Sequence, residues 1–139
     1  MTHVRLDIAA RRYKGVPFRH QGRNPAIGID CVGLLVLSAK DCGYALSIYD
    51  DTSYDRNPAR GELERRIGRA LTQASELIPG CVVCMDFYGK VRHVGIVSQL
   101  NDGRLGLIHS FNKPPRVVEN GINDRWRDWI KSIYRLEAV

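Results

Sequence analysis

The pattern of the chain changes at Pro79-Gly80, and this change limits the folds that the chain can adopt. Before it, apolar residues recur at helical spacing, and the helical stretches are followed by stop signals such as Gly15 and Gly43. After it come short β-rich segments, most of them separated by turn residues: CVVCMDF, RHVGIVS, RLGLIHSF, RVVE and KSIYRLEA. Helices followed by strands indicate an α+β fold, in which an antiparallel sheet is packed on one side by helices.

Three helices are predicted in the first half: residues 3 to 12, the stretch from Asp30 to Gly43, and residues 61 to about 74. The first places Val4, Ile8 and Ala9 on one face, and the third alternates arginines with apolar residues, as a solvated helical face does. The chain contains no internal repeat and no linker. We therefore expect residues 1 to 139 to form a single domain.

Composition excludes several classes of protein. With 139 residues, 44% hydrophobic and 26% charged, the chain suits one soluble globular domain. It has no apolar run approaching about eighteen residues, so no membrane insertion is expected, and its start, MTHVRLDIAARRYKG, is not typical of a signal peptide. The formal net charge is +6, but the basic residues are scattered and accompany no recognised nucleic-acid motif. Nucleic acid is therefore not an expected partner.

Cys31 is the candidate nucleophile, because it falls in the first turn of an otherwise apolar helix. Unpaired N–H groups and the helix dipole favour a thiolate there, so a lowered pKa is predicted. Gly28 and Gly33 are expected to leave room for a substrate backbone. The alternative is that Cys31 is simply a buried cysteine, which is the expectation for Cys42 at the far end of the same helix.

His93 and His109 lie on neighbouring β-rich segments joined through Asn-Asp-Gly, a good hairpin signal. A two-residue loop would pair His109 with Ile96 and place the histidines on opposite faces of the sheet. A three-residue loop, residues 101 to 103, would pair His109 with Gly95 and make the histidines diagonal neighbours on one face, about 7–8 Å apart. Gly103 suits the left-handed position of the longer loop, so we predict that register.

In the predicted register the histidines can act together with the cysteine. His93 can take the proton of Cys31, and His109 can fix the tautomer of His93 from the other ring nitrogen. The absent side chain of Gly95 is expected to leave space between the two rings. Cys31, His93 and His109 would then act as nucleophile, base and orienting group, as in catalytic triads.

The residues around these positions resemble the NlpC-type peptidases, a circularly permuted branch of the papain-like fold. The resemblance covers about residues 5 to 137 and lies in four blocks: PFRHQG (17–22), GIDCVGLL (28–35), RHVGIV (92–97) and LIHS (107–110). The HQGR variant of the first block is most similar to short members encoded by phages, prophages and gene-transfer agents, which are associated with tails.

This resemblance implies a cysteine endopeptidase that cuts the stem peptide of peptidoglycan between γ-D-glutamate and diaminopimelate. Cys31 would be its nucleophile, His93 its base and His109 its third polar residue, with no metal or other cofactor. The protein would be made in the bacterial cytoplasm without a signal peptide and would act on the cell wall with phage tail proteins as partners. The positions assigned to substrate contact are Phe18, His20, Gln21, Asp30 and Gly95.

One departure from the family concerns the oxyanion. Many relatives carry a tyrosine where Phe18 stands, and phenylalanine cannot donate its hydrogen bond. Losing an oxyanion donor typically costs about 10²–10³ in rate. His20 and Gln21 are both candidates for the missing donor.

Three other interpretations of the sequence are open. A zinc site at Cys81-Val-Val-Cys84 is disfavoured because residues three apart on a strand point to opposite faces. An amidase or acyltransferase would use the same Cys–His chemistry on another carbonyl. A non-catalytic tail assembly component would use surfaces such as residues 47 to 60 or 125 to 132, where Trp126 and Trp129 can share a helical face or be buried.

Overall fold

The computed structural model describes residues 5–44, 61–87 and 91–136, so the predicted contact segment at 47 to 60 lies outside the described residues. In chain order the elements are α1 (Leu6–Arg11), β1 (Arg23–Asn24), β2 (Gly28–Ile29), α2 (Cys31–Asp41), α3 (Glu62–Ala70), β3 (Thr72–Ala74), β4 (Val82–Phe87), β5 (Val91–Gln99), β6 (Leu105–Asn112), β7 (Pro115–Gly121), α4 (Asp124–Trp129) and β8 (Ile130–Arg135). Within the described ranges no helix is long and apolar enough to cross a membrane.

A six-stranded antiparallel sheet in the order β3-β8-β4-β5-β6-β7 organises the fold, and β1 and β2 form a separate two-stranded ribbon. On one face of the large sheet, α1, α2 and α3 pack against alternate strand residues such as Val94, Ile96 and Ile108. The other face carries Met85, Leu107 and the tryptophans of α4. The predicted α+β arrangement is therefore confirmed, with the three N-terminal helices on one side of the sheet.

The buried face of α1 differs from the prediction. Leu6, Ala9 and Ala10 are buried, whereas Ile8 is 43% exposed. The helix begins only at Leu6, and Leu6 with Ala9 and Ala10 forms the i, i+3, i+4 stripe that faces the core. Of the three residues predicted to share one face, Ala9 is buried, Ile8 is exposed and Val4 lies outside the described residues.

The third helix is shorter than predicted. It ends at Ala70 rather than near residue 74, because Thr72–Ala74 pairs with β8 as an edge strand. Leu63 and Ile67 are buried while Arg65 is exposed, so the prediction of a solvated arginine face is confirmed. Long-range strand pairing overrides the local helical pattern in the last turn.

The hairpin of β5 and β6 has the predicted three-residue loop. Ile96 pairs with Ile108, and this register continues to Gln99 and Leu105. The loop is closed by Leu100 N–H, which donates to Arg104 O at 2.8 Å, and Gly103 adopts a left-handed φ of 88°. Both histidines therefore lie on one face of the sheet.

A buried carboxylate ties α1 to this part of the sheet. Glu119 on β7 accepts hydrogen bonds from Arg11 at 2.8 and 3.2 Å, from Lys14 at 3.2 Å and from Ser98 at 2.7 Å. The hydrogen bonds from Arg11, with further help from Ser98 and Lys14, lower the pKa of Glu119 to about 2. The network holds β5 and β7 in a fixed relation to α1.

Candidate active site

The first turn of α2 is held by Asp30, as the capping pattern predicts. Its Oδ1 accepts from the backbone N–H of Gly33 at 2.8 Å and from Arg23 Nη1 at 3.1 Å, and its Oδ2 accepts from the backbone N–H of Gln21 at 2.8 Å. Asp30 is only 3% exposed. Both oxygens of Asp30 thus bond to the protein and hold the helix start, and its predicted substrate contact stays a prediction.

Glycines around α2 make room for the chain itself. A Cβ on Gly33 would lie 2.2 Å from the carbonyl oxygen of Gly22, and one on Gly28 would lie 2.7 Å from Cβ of Arg19. The loop of residues 17 to 22 thus packs directly against the ribbon and the start of the helix. The space that Gly28 and Gly33 were expected to offer a substrate backbone is filled by this loop.

The same loop brings three predicted substrate residues beside the helix start. Phe18 forms a bridge to Ile29, two residues before Cys31, and Phe18, His20 and Gln21 are all half-buried. The backbone N–H of Gln21 is engaged by Asp30, so it does not serve an oxyanion. The side chains of His20 and Gln21 remain the alternatives for the donor that Phe18 lacks.

Strands β5 and β6 pair from Gln99 and Leu105 as far as Ile96 and Ile108, and their described pairing ends there; we refer to this end as the fork of β5 and β6. On β5, Val97 N–H donates to β4 at Cys81 O, so by alternation the N–H of Val94 points toward β6. The thiol of Cys31 receives this N–H. The thiol therefore lies at the residue of β5 that directly follows His93.

The other side of the fork is closed by Ser110 of β6, whose hydroxyl donates to the carbonyl oxygen of Ile29 at 2.7 Å. The segment that begins α2 thus contacts both of the strands that carry the histidines. These contacts bring Cys31 to the strand segment that carries His93.

The pKa of Cys31 moves in the direction opposite to the prediction. Desolvation, with a smaller contribution from the charge of Asp30, raises the pKa of the thiol from 9.0 to about 12. The backbone N–H groups of Val94, Val32 and Cys31 itself act the other way but do not offset it. Cys31 therefore rests as a thiol rather than a thiolate.

The histidines form a hydrogen-bonded chain that ends on Asn120. His93 Nε2 lies 2.8 Å from His109 Nδ1, and His109 Nε2 lies 2.6 Å from Asn120 Oδ1. The amide nitrogen of Asn120 donates to the carbonyl oxygen of Gly121 at 3.1 Å, which fixes the amide orientation. The structure thus confirms that His93 and His109 meet and adds Asn120 as a third member.

The proton positions in this chain follow from its last member. Because Asn120 Oδ1 only accepts, His109 Nε2 carries a hydrogen and a neutral His109 has a bare Nδ1. His93 Nε2 must then donate to that nitrogen, which leaves Nδ1 of His93 without a proton. The chain therefore holds His93 in the tautomer that a general base needs.

Burial keeps both rings neutral. His93 is 1% exposed and packs against Phe87 and Phe111, with ring centroids 5.4 and 5.1 Å away. Burial, helped by the charge of His109, lowers the pKa of His93 well below 6.5, and burial also lowers the pKa of His109. The resting pair is thus a neutral thiol and a neutral imidazole.

Gly95 does not open space between the rings as expected. A Cβ there would lie 2.7 Å from Cδ1 of Leu107 and 3.2 Å from Cε of Met85. These core side chains fill the position beside Gly95, and its predicted role in substrate contact stays a prediction. The diagonal placement of the histidines is sufficient to bring their rings together.

Sequence reasoning missed Asn120. It pairs with Leu107 while Val118 pairs with His109, so Asn120 is the diagonal neighbour of His109 on the same face. The alternation of RVVENG carries this signal. The register of β6 with β7 shifts near Ser110 and Phe111, however, and loop length alone does not reveal such a bulge.

The remaining cysteines lie away from the histidine chain, and Cys81 and Cys84 point to opposite faces of their strand as predicted. Cys81 and Cys84 belong to clusters on opposite faces of the sheet, and Cys42 is buried. In the described part of the chain, no three histidines, cysteines or carboxylates are grouped to hold a metal. Trp126 and Trp129 share a face of α4, are half-buried and lie 5.0 Å apart between ring centroids.

Two solved structures share this fold. A Staphylococcus aureus protein, described as similar to a lipoprotein of the NLP/P60 family, matches with a TM-score of 0.64 and 18% identity over 97% of this chain. The NlpC/p60 domain of the peptidoglycan hydrolase SagA matches with a TM-score of 0.60 and 18% identity over 95% of this chain and 97% of its own. The fold is that of the NlpC/p60 proteins.

The NlpC/p60 likeness confirms the predicted papain-like fold. At 18% identity it shows the fold alone, and the chain spans 41% of the length of the S. aureus protein. No family model and no curated protein matches the sequence.

The raised pKa of Cys31 predicts slow alkylation at neutral pH. A pKa of about 12 instead of 9.0 leaves about a thousandfold less thiolate at pH 7. The rate with iodoacetamide, followed by mass spectrometry of the Cys31 peptide, should rise about tenfold per pH unit from pH 6 to 10. A rate that levels off near pH 7 would contradict a protonated resting thiol.

Proposed function

We propose that the protein is a cysteine peptidase that hydrolyses the stem peptides of peptidoglycan. The observation that supports this most is the chain Asn120–His109–His93, which ends at the strand position where Cys31 lies. A nucleophile, a base with a defined tautomer and an orienting group are what acyl transfer through a thioester requires. SagA, which shares the fold, is named a peptidoglycan hydrolase.

The first half of the reaction forms an acyl-enzyme. Nδ1 of His93 takes the thiol proton as the sulfur of Cys31 attacks the scissile carbonyl, so charge separates only when the substrate is in place. His109 stabilises the imidazolium by accepting from Nε2 of His93. The tetrahedral intermediate collapses when His93 returns the proton to the leaving amine, and a thioester remains on Cys31.

The second half restores the enzyme. Nδ1 of His93 takes a proton from water, the resulting hydroxide attacks the thioester, and the proton then passes to the departing sulfur. The backbone N–H of Cys31 is one donor for the oxyanion in both halves. The side chain of His20 or of Gln21 supplies a second donor in place of the hydroxyl that Phe18 lacks.

The proposal extends to the bond and to the setting. The bond is the one between γ-D-glutamate and diaminopimelate, and the protein acts on the wall as a component of a phage or prophage tail, together with other tail proteins. The net charge of +6 supports action on an anionic wall polymer. No metal or organic cofactor enters the proposed mechanism.

Digestion of purified peptidoglycan tests the function directly. Wild-type protein should release fragments that end at γ-D-glutamate, Cys31→Ala should release none, and Cys42→Ala should match the wild type because Cys42 is buried at the far end of α2. Mass spectrometry of the fragments identifies the bond. Cleavage of the amide that joins the peptide to the glycan would indicate an amidase instead, and no fragments from the wild type would favour a non-catalytic tail component.

A further inference from the structure

A groove of about 740 Å³ opens beside the histidine chain, on the sheet face opposite α2. Apart from His109 and Asn120, the proposed mechanism uses none of the residues that line it. Its floor is aromatic, its rim is polar, and His109 and Asn120 line one end of it. We refer to it as the aromatic groove; its main residues are Phe87, Phe111, Asn112, Lys113, Trp126 and Trp129.

The rings of the floor hold one another in place. The centroid of Phe87 lies 4.8 Å from that of Trp129, 5.5 Å from that of Trp126 and 5.6 Å from that of Phe111, with edge-to-face geometry in each case. Both tryptophans are nevertheless half-exposed. The groove therefore offers fixed, accessible aromatic surface at little cost in conformational entropy.

The rim combines an amide with a cation. Asn112 and Lys113 are exposed where β6 turns toward β7, and both line the groove together with the aromatic rings. An amide can both donate and accept hydrogen bonds, and an ammonium group bonds hydroxyl and carboxylate oxygens. These groups suit a ligand with an apolar face and a polar edge.

We propose that the aromatic groove binds the glycan of the wall polymer, a chain of N-acetylated hexosamines. A pyranose ring presents C–H groups on its face, which pack against aromatic rings, and hydroxyl and acetamido groups at its edge, which suit Asn112. The carbonyl oxygen of the lactyl amide, through which muramic units carry the stem peptide, suits the ammonium group of Lys113. The volume lies within the range of about 300–1,000 Å³ that is usual for small-molecule sites.

This inference rests on the proposed function and makes its substrate more specific. The peptide is cut at Cys31 while the glycan occupies the groove next to His109 and Asn120. The groove would then strengthen binding of the intact polymer without changing the chemical step. Its contribution should appear in KM for glycan-bearing substrates and be absent from the cleavage of free stem peptides.

Tryptophan fluorescence tests the groove, because the two tryptophans of the chain both line it. Titration with tetra-N-acetylchitotetraose should change the emission in a saturable way. Trp126→Phe keeps an aromatic ring in the packing, and we expect it to weaken tetrasaccharide binding about tenfold. Lys113→Met alters only the rim. Because the tetrasaccharide lacks the lactyl group assigned to Lys113, Lys113→Met should leave its binding nearly unchanged and weaken the binding of muramic-acid fragments.

Matched controls separate this proposal from the function. Arg125→Ala, an exposed position on α4 outside the groove, should bind like the wild type, and so should Cys31→Ala. Wild-type cleavage of free stem peptide with no fluorescence response to the tetrasaccharide would overturn the groove and leave the peptidase intact. Saccharide binding without any peptide cleavage would support the groove and contradict the proposed peptidase.

Two further outcomes also count against the groove. A response that Trp126→Phe leaves unchanged would place the saccharide elsewhere. An emission shift that depends on protein concentration and not on saccharide would identify the groove as a contact between copies of the chain. A KM for glycan-bearing fragments that rises about tenfold in Trp126→Phe, with unchanged kcat, would support the proposal.

Discussion

The His93→Gln protein is expected to cleave a stem peptide at least about 10⁴-fold more slowly than the wild type, with little change in KM. Glutamine is polar and close to histidine in size, so it can still reach His109. It cannot take up and release a proton near neutral pH, whereas Nδ1 of His93 is held bare by the chain of hydrogen bonds that ends on Asn120. Steady-state kinetics on a synthetic stem peptide measures the loss.

Phe87→Leu is the matched control, because it removes a ring packed on His93 and leaves the proton acceptor in place. It should retain peptide cleavage within about tenfold of the wild type. The acid limb of the wild-type profile is a second check: since burial lowers the pKa of His93, the base stays unprotonated and activity persists below pH 6.5. A His93→Gln protein with more than about a hundredth of wild-type kcat would exclude His93 as the base.

The Asn120→Leu protein is expected to lose about 10²–10³ in kcat, again with little change in KM. Without the acceptor at 2.6 Å, the proton of His109 is free to move to Nδ1. His93 must then accept at Nε2 and carry its own proton on Nδ1, where it cannot act as a base toward Cys31. The tautomers can be read from the ¹⁵N chemical shifts of the two rings. A loss of activity with a purely structural cause would leave both tautomers as they are in the wild type.

Asn120→Asp should restore most of the kcat, because a carboxylate oxygen also accepts from His109 Nε2. Asn101→Ala, an exposed amide in the loop of the β5–β6 hairpin, should have no effect on kcat. If Asn120→Leu lowers thermal stability but leaves kcat and the ring tautomers as in the wild type, Asn120 is a packing residue and not a positioning residue for the base.

Structural features that depend on contacts between residues close in sequence are predicted correctly. Asp30 followed by an apolar helical stretch specifies a capped helix start, and the structure has that cap. Asn-Asp-Gly with Gly103 in the left-handed region specifies a three-residue loop, and the loop length alone sets the register that brings His93 and His109 together. Each of these features depends on residues that are close in sequence, so a single chain is enough to read it.

Several predictions failed where distant parts of the chain meet. Residues 72 to 74 continue a helical pattern, but pairing with β8 makes them a strand. Other parts of the chain occupy the space beside glycines that were expected to leave room for a substrate or between the rings. Gly33 packs on the carbonyl of Gly22, and Gly95 packs on Leu107. Only the packed fold shows which neighbour occupies the space where a glycine has no side chain.

The sequence by itself determined the fold class, the position of Cys31 at a helix start and the placement of His93 and His109 on one face of the sheet. Tertiary structure alone decided the protonation of the thiol, because desolvation at the fork of β5 and β6 outweighs the N–H groups of the helix start that the sequence reveals. It also decided the role of Asn120, whose approach to His109 depends on a register that shifts at a bulge. Capping and turn geometry act over a few residues, whereas burial and strand register depend on the whole packed sheet.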